Sequence, residues 1–499
     1  MSLPPWLRDR RIVIPAALIL ANTLLRSSFS LQGIEPDGSD YAYAASRITQ
    51  GLVTRECPWW TSPGDHFVRW GIVLPLAASF ALFGVNLFSC SIPGILATGA
   101  IQGILYRLVD RRAGPVAALA SGVLLLFLPS IDFGEVACYS HWIAALLLLC
   151  SVDAFDRGLE GSAPRGYLWS GVFCGLASTT WTMSALVAAG LAAAWLLRKP
   201  GDLRRAVWFI PGMLGVLLVD MAVLGVLYGD PLYRVHATLH QQREHASMWQ
   251  VSFLTNWTLP FLPGSPIGRA MAFLPHLGLG SAIVLLARRR REGLLLSLAW
   301  LVPFALMRLL PRSLSPLAFL ALQEPHLLSF TMPLVAATAG LGIALLWERR
   351  RSAAVAAGVL AAGFGLLQMA LNAEEYRTGT LLPARAAYAV ARERGERLFV
   401  CDYRTQHLFR FWDLYREGRS YANIQEATAP EGEPLILVAN RRYLQALSLP
   451  VPANLERRRE RWELLGKFEF EGRVRISQLF KGRVQRMSPA VVEVYRVPP

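Results

Sequence analysis

The stretch Ile12–Leu31 reads IVIPAALILANTLLRSSFSL. An apolar run of this length, at about 1.5 Å per helical residue, spans the roughly 30 Å hydrocarbon core of a bilayer. Arg8, Arg10 and Arg11 precede it and no small-residue cleavage site follows, so it reads as a retained first span and not as a signal peptide. Ten further runs qualify, near 90–108, 115–131, 141–155, 168–183, 184–197, 207–228, 269–287, 292–309, 327–346 and 353–371. Composition agrees. The 499 residues are 54% hydrophobic and only 17% charged, with mean hydropathy +0.36. A soluble multidomain chain carries about a quarter charged residues, so that class is excluded, with disorder and small disulfide scaffolds.

Net charge is +15, nearly all of it Arg; Lys199, Lys467 and Lys481 are the lysines. On a membrane protein such an excess reads as cytoplasmic-loop charge before it reads as nucleic-acid binding. The Arg-, Ala-, Gly- and Leu-rich usage suggests a GC-rich bacterial genome and therefore a bacterial inner membrane. The connections Arg107–Arg112, Asp156–Arg165, Arg198–Arg205, Arg288–Arg291 and Glu348–Arg351 are short and basic. The positive-inside rule puts them with the N-terminus in the cytoplasm, and eleven spans then leave residues 372–499 outside. Counting Trp70–Gly84 as a span would invert every later loop, so it is expected to be an interfacial or re-entrant helix.

The outer loops are then 32–89, 131–140, 229–268 and 310–326. Beyond 371 the apolar runs shorten, in Arg397–Asp402, Pro434–Ala439 and Val491–Val497, with helical stretches such as Pro383–Arg394 and Arg441–Leu447 between them. The expected architecture is a polytopic α-helical membrane region, 1–371, followed by an extracytoplasmic α/β domain, 372–499. The six cysteines show no metal spacing; Cys57 and Cys401 share the predicted outer side, which permits a disulfide that spacing alone does not establish.

The candidate chemistry lies at the outer rim. Glu35, Asp37 and Asp40 stand where the first span leaves the membrane, and an amphipathic helix with Tyr41, Ala44, Ala45 and Ile48 on one face follows, closed by Gly51. Asp40 could cap that helix; for Asp37 a turn role and a catalytic role are equally open. The outer loops also hold Arg55, Arg69, Arg234, Arg243 and Arg312 with His66, His236 and His326. Taken singly, Arg234, Arg243 and Arg312 read more readily as loop charges or headgroup contacts. His236 and His240, at i and i+4, could share a helix face and bind zinc if His245, Glu244 or His66 gave a third ligand; such pairs are more often polar helix faces. Asp220, inside a span, and Arg308, at the outer end of one, are functional candidates, although Asp220 could equally pair with a neighbouring helix.

The run Asp37-Gly-Ser-Asp-Tyr41, with Ala45 and Gly51, resembles the first outer loop of GT-C glycosyltransferases that use polyprenyl-phosphate sugars, among them the protein O-mannosyltransferases and the lipid A aminoarabinose transferases. Those enzymes carry an acid, a Tyr four positions on, then a helix and a Gly. Gly38 stands where the second acid of the family's usual pair would be. Asp65-His-Phe-Val-Arg-Trp70, before a helix ending Leu82-Phe83-Gly84, resembles the family's basic residue ahead of an apolar interfacial helix. Leu128-Pro129-Ser130 resembles the outer end of a span. Ser140 or His141 occupies the place of a further Asp, and Glu324-Pro325-His326 resembles the start of a late span. The likeness reaches to about residue 346.

The resemblance implies a membrane glycosyltransferase with a polyprenyl-phosphate sugar donor, a lipid, glycan or protein acceptor, and inversion at the anomeric carbon. It implies Asp37 as general base with Asp40 as alternative, and Arg69 at the donor phosphate. His66, Glu324, His326 and Arg243 would be further substrate contacts. No tightly bound cofactor is expected. The chemistry needs such groups: a carboxylate to take the acceptor proton and cations where phosphate charge builds. The competing readings are a flippase for lipid-linked glycans and a non-catalytic scaffold. A flippase would carry its charges around a midplane cavity, whereas this chain concentrates them at the rim.

Overall fold

The computed structural model describes residues 9–30, 34, 36–53, 65–129, 138–161, 164–198, 203–244, 257–258, 261, 271, 273–309, 311–314, 317–319, 329–394, 396–413, 419–424, 434–441, 453–470 and 490–498. Its helices are α1 (Arg10–Ser30), α2 (Pro36–Thr49), α3 (Trp70–Phe83), α4 (Leu87–Leu126), α5 (Ser140–Glu160), α6 (Arg165–Thr180), α7 (Val187–Arg198) and α8 (Phe209–Tyr228). They continue with α9 (Tyr233–Glu244), α10 (Leu274–Ala287), α11 (Arg291–Leu309), α12 (Met332–Arg349), α13 (Arg351–Tyr376), α14 (Leu382–Arg392) and α15 (Tyr403–Trp412). Among the described residues, Arg10–Ser28, Leu87–Leu126, Arg204–Tyr228, Glu292–Leu309 and Arg351–Arg392 are long and apolar enough to cross a membrane.

Most expected spans have a helical counterpart, and three boundaries change. The runs 90–108 and 115–131 are two helical halves of the segment α4, as expected, but they follow each other with no loop between them. The chain turns at Gly114, whose φ of 79° lies in the left-handed region that glycine tolerates, directly before Pro115. The runs 168–183 and 184–197 divide earlier than expected, at Trp181, where φ −146° and ψ 108° interrupt the helix before a 3-10 turn. The last span does not stop at 371: α13 passes through a π-helical turn, Arg377–Leu381, into α14. The apolar stretch near 70–84 is helical but only 14 residues long, about 21 Å and short of a bilayer core.

The basic segments converge at one end of the bundle. Arg111 contacts Asp153 (2.8 Å) and Asp156 (2.9 Å), Arg112 Nε donates to Asp156 (2.8 Å), and Arg198 and Arg11 stand 3.9 Å from Asp156 and 3.8 Å from Asp110. Three of the connections that charge alone assigns to one side therefore lie together with the N-terminal arginines. Small residues let the helices meet, as expected where lipid supplies no hydrophobic drive between them. A Cβ on Gly171 would stand 2.0 Å from the Phe209 carbonyl oxygen, and one on Gly212 would stand 2.3 Å from that of Leu168, so α6 and α8 cross backbone to backbone.

After α14 comes a five-stranded mixed sheet. In sequence, β1 (Pro311–Leu314) and β2 (Leu317–Phe319) form a separate antiparallel hairpin in the last outer loop, which the sequence reading left without structure. The sheet itself comprises β3 (Leu398–Cys401), β4 (Ser420–Asn423), β5 (Leu435–Asn440), β6 (Glu463–Phe470) and β7 (Ala490–Val497), in the order β4-β3-β5-β7-β6. β3 runs parallel to β4 and β5, and β7 antiparallel to β5 and β6. β3, β5 and β7 match three runs read as strands. Cys401, buried in β3, is a free thiol, and Cys57 lies outside the described residues.

Candidate active site

Pro36 opens α2, where its fixed φ suits a first helical position and its missing N–H is no loss. The helix therefore starts four residues before Asp40, and Asp40 does not cap it; that expectation is corrected. Tyr41, Ala44 and Ala45 are buried, Ile48 packs on the same core, and the chain leaves the helix at Gly51 with φ 76°, as the amphipathic pattern requires. Asp37 sits one turn before Tyr41, so the two share a helix face. Asp37 is partly exposed, whereas Asp40 is only 1% exposed.

Arg69 lies between a 3-10 turn, Asp65–Val68, and the first turn of α3. Its side chain is buried. Its Nη1 donates to the Tyr41 hydroxyl. Its guanidinium lies 4.4 Å from the centroid of the Trp181 ring and 5.7 Å from that of Tyr41. A cation over the face of a Trp is held by the ring quadrupole, and more firmly when water is excluded. The Tyr41 hydroxyl also lies 3.4 Å from Ser140 Oγ, and the His141 ring packs 4.2 Å from that of Trp181. Ser140 and His141, in the place where the resemblance expects an acid, are thus both buried within the cluster.

Two local features bring Arg69 to Trp181. The helix break at Trp181 takes the residue out of the α6 register, while its backbone N–H still reaches the Ala177 carbonyl (2.7 Å) and its backbone carbonyl accepts from Ser184 N (2.9 Å). Broken backbone at membrane depth is tolerated when its groups are satisfied in this way. The second feature is Gly71. A Cβ there would stand 1.8 Å from Thr180 Oγ1, so only glycine lets the start of α3 meet the end of α6 so closely.

The C-terminal sheet region reaches the same cluster. α15 packs on α2, and His407 Nδ1 stands 4.0 Å from Asp40 Oδ1, with both residues essentially unexposed. Asp402 caps α15, accepting from Thr405 N (3.0 Å) and Thr405 Oγ1 (2.6 Å). Burial pushes the Asp402 carboxyl above its ordinary value, against the opposing bonds from Thr405.

The remaining candidates divide. His66 lies in the Asp65–Val68 turn and Arg243 and His240 in α9, but the side chains of all three lie outside the described residues. Glu324, His326, Glu35 and Arg55 lie wholly outside them, and Arg312 is described only as backbone in β1. His236 is exposed and bonds Asp230 through Nδ1 at 2.8 Å; that contact holds the Asp230 carboxyl below its usual range. Among the described residues no three His, Cys, Asp or Glu side chains are grouped to hold a metal ion. Arg308 is buried against Phe304, 5.2 Å from its ring. Arg234 is not a solvated loop charge: it is buried and pairs with Asp220. The sequence reading missed Trp181 and His407. A Trp in an apolar run looks like core, and a His on a soluble helix carries no signal for a loop so distant in sequence.

Residues 72–225 match the family model of dolichyl-phosphate-mannose-protein mannosyltransferase. The fold is similar over 97% of both chains to ArnT from Cupriavidus metallidurans bound to undecaprenyl phosphate, with TM-score 0.62 and 14% identity. The apo state of that protein gives TM-score 0.59 at 13% identity. The Archaeoglobus fulgidus oligosaccharyltransferase tethered with an acceptor peptide is similar over 89% of this chain and 70% of its own, with TM-score 0.51 and 10% identity. A search of curated proteins by sequence finds no match. The chain thus has the fold of the GT-C membrane glycosyltransferases.

Proposed function

We propose that this GT-C-fold chain transfers a sugar from a polyprenyl-phosphate donor to a lipid, glycan or protein acceptor at the outer face of a bacterial inner membrane. The observation that carries this reading is the Arg69 seat: a buried guanidinium held by Tyr41 and Trp181, with Asp37 one turn away from Tyr41 on α2. The solved relative that binds undecaprenyl phosphate supports the choice of donor.

Asp37 takes the proton from the acceptor hydroxyl as that oxygen attacks the anomeric carbon. The bond from that carbon to the phosphate oxygen breaks, and the departing phosphate gains negative charge. Arg69 stabilises that charge with planar N–H donors, which a dry site strengthens. Tyr41 and Trp181 fix the guanidinium before substrate arrives, so little reorganisation is needed in the transition state. Asp40, buried against His407, is placed to hold the α2 helix and not to meet an acceptor. The sheet region beyond the Arg351–Arg392 rod is extracytoplasmic and lies over α2 by way of α15, and eleven spans precede it.

The test is transfer in proteoliposomes by wild type, Asp37→Asn and Asp40→Asn, with radiolabelled polyprenyl-phosphate sugars and host membrane lipid as acceptor. Asp37→Asn is expected to lose transfer by about 10²-fold or more, the typical worth of a general base, while remaining monodisperse. Loss in Asp40→Asn alone moves the base to Asp40. Passage of labelled lipid across the bilayer without sugar transfer replaces this reading with a flippase.

A further inference from the structure

A buried ion pair lies directly behind the Arg69 seat. Asp220 sits in mid-α8 and Arg234 in the first turn of α9; they are 9% and 8% exposed. Gly229, in the left-handed conformation at φ 72°, turns the chain between the two helices. Arg234 Nε donates to Asp220 Oδ2 at 3.0 Å, and Nη2 donates to Oδ1 at 2.8 Å. The same Nη2 reaches the backbone carbonyl of Val68 at 2.5 Å. Val68 immediately precedes Arg69.

The backbone of Arg69 is thereby held on both sides. Ahead of Arg69, Arg234 holds the Val68 carbonyl. Behind it, the Arg69 carbonyl accepts from Ile72 N (3.0 Å) and Val73 N (3.1 Å), the first turn of α3. Between these holds the Arg69 backbone is neither helical nor extended, at φ −82° and ψ 69°. Asp220 takes the Nε hydrogen and one Nη2 hydrogen, which leaves the other Nη2 hydrogen for Val68, a geometry that a lysine ammonium does not reproduce. A buried ion pair is a poor source of stability compared with an apolar pair of the same volume. Its use in this fold is directional: it fixes a backbone turn that nothing in the local sequence would fix.

We infer that Asp220 and Arg234 are positioning residues that set the backbone of Arg69, and hence where its guanidinium points. The consequence for donor binding rests on the reading of Arg69 as the phosphate ligand. Neither residue is assigned to touch the donor.

The experiment uses the full chain in nanodiscs. The variants are Arg234→Lys, which keeps the charge beside Asp220 but loses the fork, and the double variant Asp220→Leu/Arg234→Met, which leaves no lone buried charge. Arg69→Met is made alone and in combination with Arg234→Lys. Amide hydrogen exchange over residues 68–74 reads the backbone, and undecaprenyl phosphate binding reads the ligand. In Arg234→Lys the amides of Ile72 and Val73 are expected to exchange about tenfold faster while α12 is unchanged, as for a local opening. Binding weakens about tenfold, and Arg69→Met combined with Arg234→Lys binds no more weakly than Arg69→Met, the non-additivity of residues acting through one another. Unchanged exchange at Ile72 and Val73 in both pair variants overturns the inference, and so do additive losses. Faster exchange in a protein whose wild type binds no undecaprenyl phosphate keeps the positioning role and removes the donor reading.

Discussion

A methyl group on Gly71 would have to occupy space that Thr180 fills: its Cβ would lie 1.8 Å from Oγ1 and 2.7 Å from Thr180 Cβ. Gly71→Ala is therefore expected to force α3 and α6 apart at an overpacking cost of about 1–3 kcal/mol, and to lift Arg69 from Trp181. Thermal unfolding reads the first effect and donor binding the second. Thr180→Gly in the same chain removes both clashing atoms and should recover most of the binding; no recovery would place the defect elsewhere. The meeting of Tyr41 and Arg69 was legible because aromatic and base fall within one stretch, 32–89, and Asp37 was legible only as far as its place on the Tyr41 face of α2. The capping role for Asp40 failed because Pro36 starts the helix a turn early. Trp181 was illegible, since what gives it a role is a broken helix and a glycine more than a hundred residues earlier in the sequence.

At the scale of elements, α15 brings the C-terminal sheet region onto α2. Its cap, Asp402, has a carboxyl raised by burial above its ordinary 3.8. Between that ordinary value and the raised one, the folded chain holds a proton that the unfolded chain has lost. Stability therefore rises as pH falls through this window, and the ionised cap is a cost at neutral pH. Asn caps as well as Asp. Asp402→Asn should melt no lower than wild type at pH 7, with any advantage shrinking as the pH falls below the raised value. A variant that melts lower at pH 7 and recovers in acid would reverse the sign. His407→Phe tests the docking itself: limited proteolysis within α2 should accelerate as Asp40 loses its cover. The strands β3, β5 and β7 were readable as short apolar runs. α15 was not, because its polar and aromatic residues match neither a span nor a simple stripe. β6 does alternate at Phe468 and Phe470 and could have been found.

For the whole molecule, charge counting located one end of the bundle correctly: Arg11, Arg111, Arg112 and Arg198 all meet acids there. It could not see that the two halves of α4 meet at Gly114 without a loop or that α13 runs on as part of a 42-residue helical rod, Arg351–Arg392, because hydropathy marks where membrane ends and not where helix ends. The proposed orientation has a direct check. In a cysteine-free background, Glu463→Cys on exposed β6 should react with a membrane-impermeant maleimide in intact spheroplasts, and Arg205→Cys only after permeabilisation. The opposite pattern would turn the molecule over and put the Arg69 seat on the cytoplasmic side.

The contact between His407 and Asp40 also bears on timing. His407 belongs to the last fifth of the 499-residue chain, and Asp40 to the first loop to emerge. A chain still being synthesised already has its first helices in the bilayer but has nothing yet to lay over Asp40. The Asp40 face of α2 is therefore covered only once α15 has been made and has packed against it. On the glycosyltransferase reading proposed above, the cover over Asp40 is the last part of the site to form.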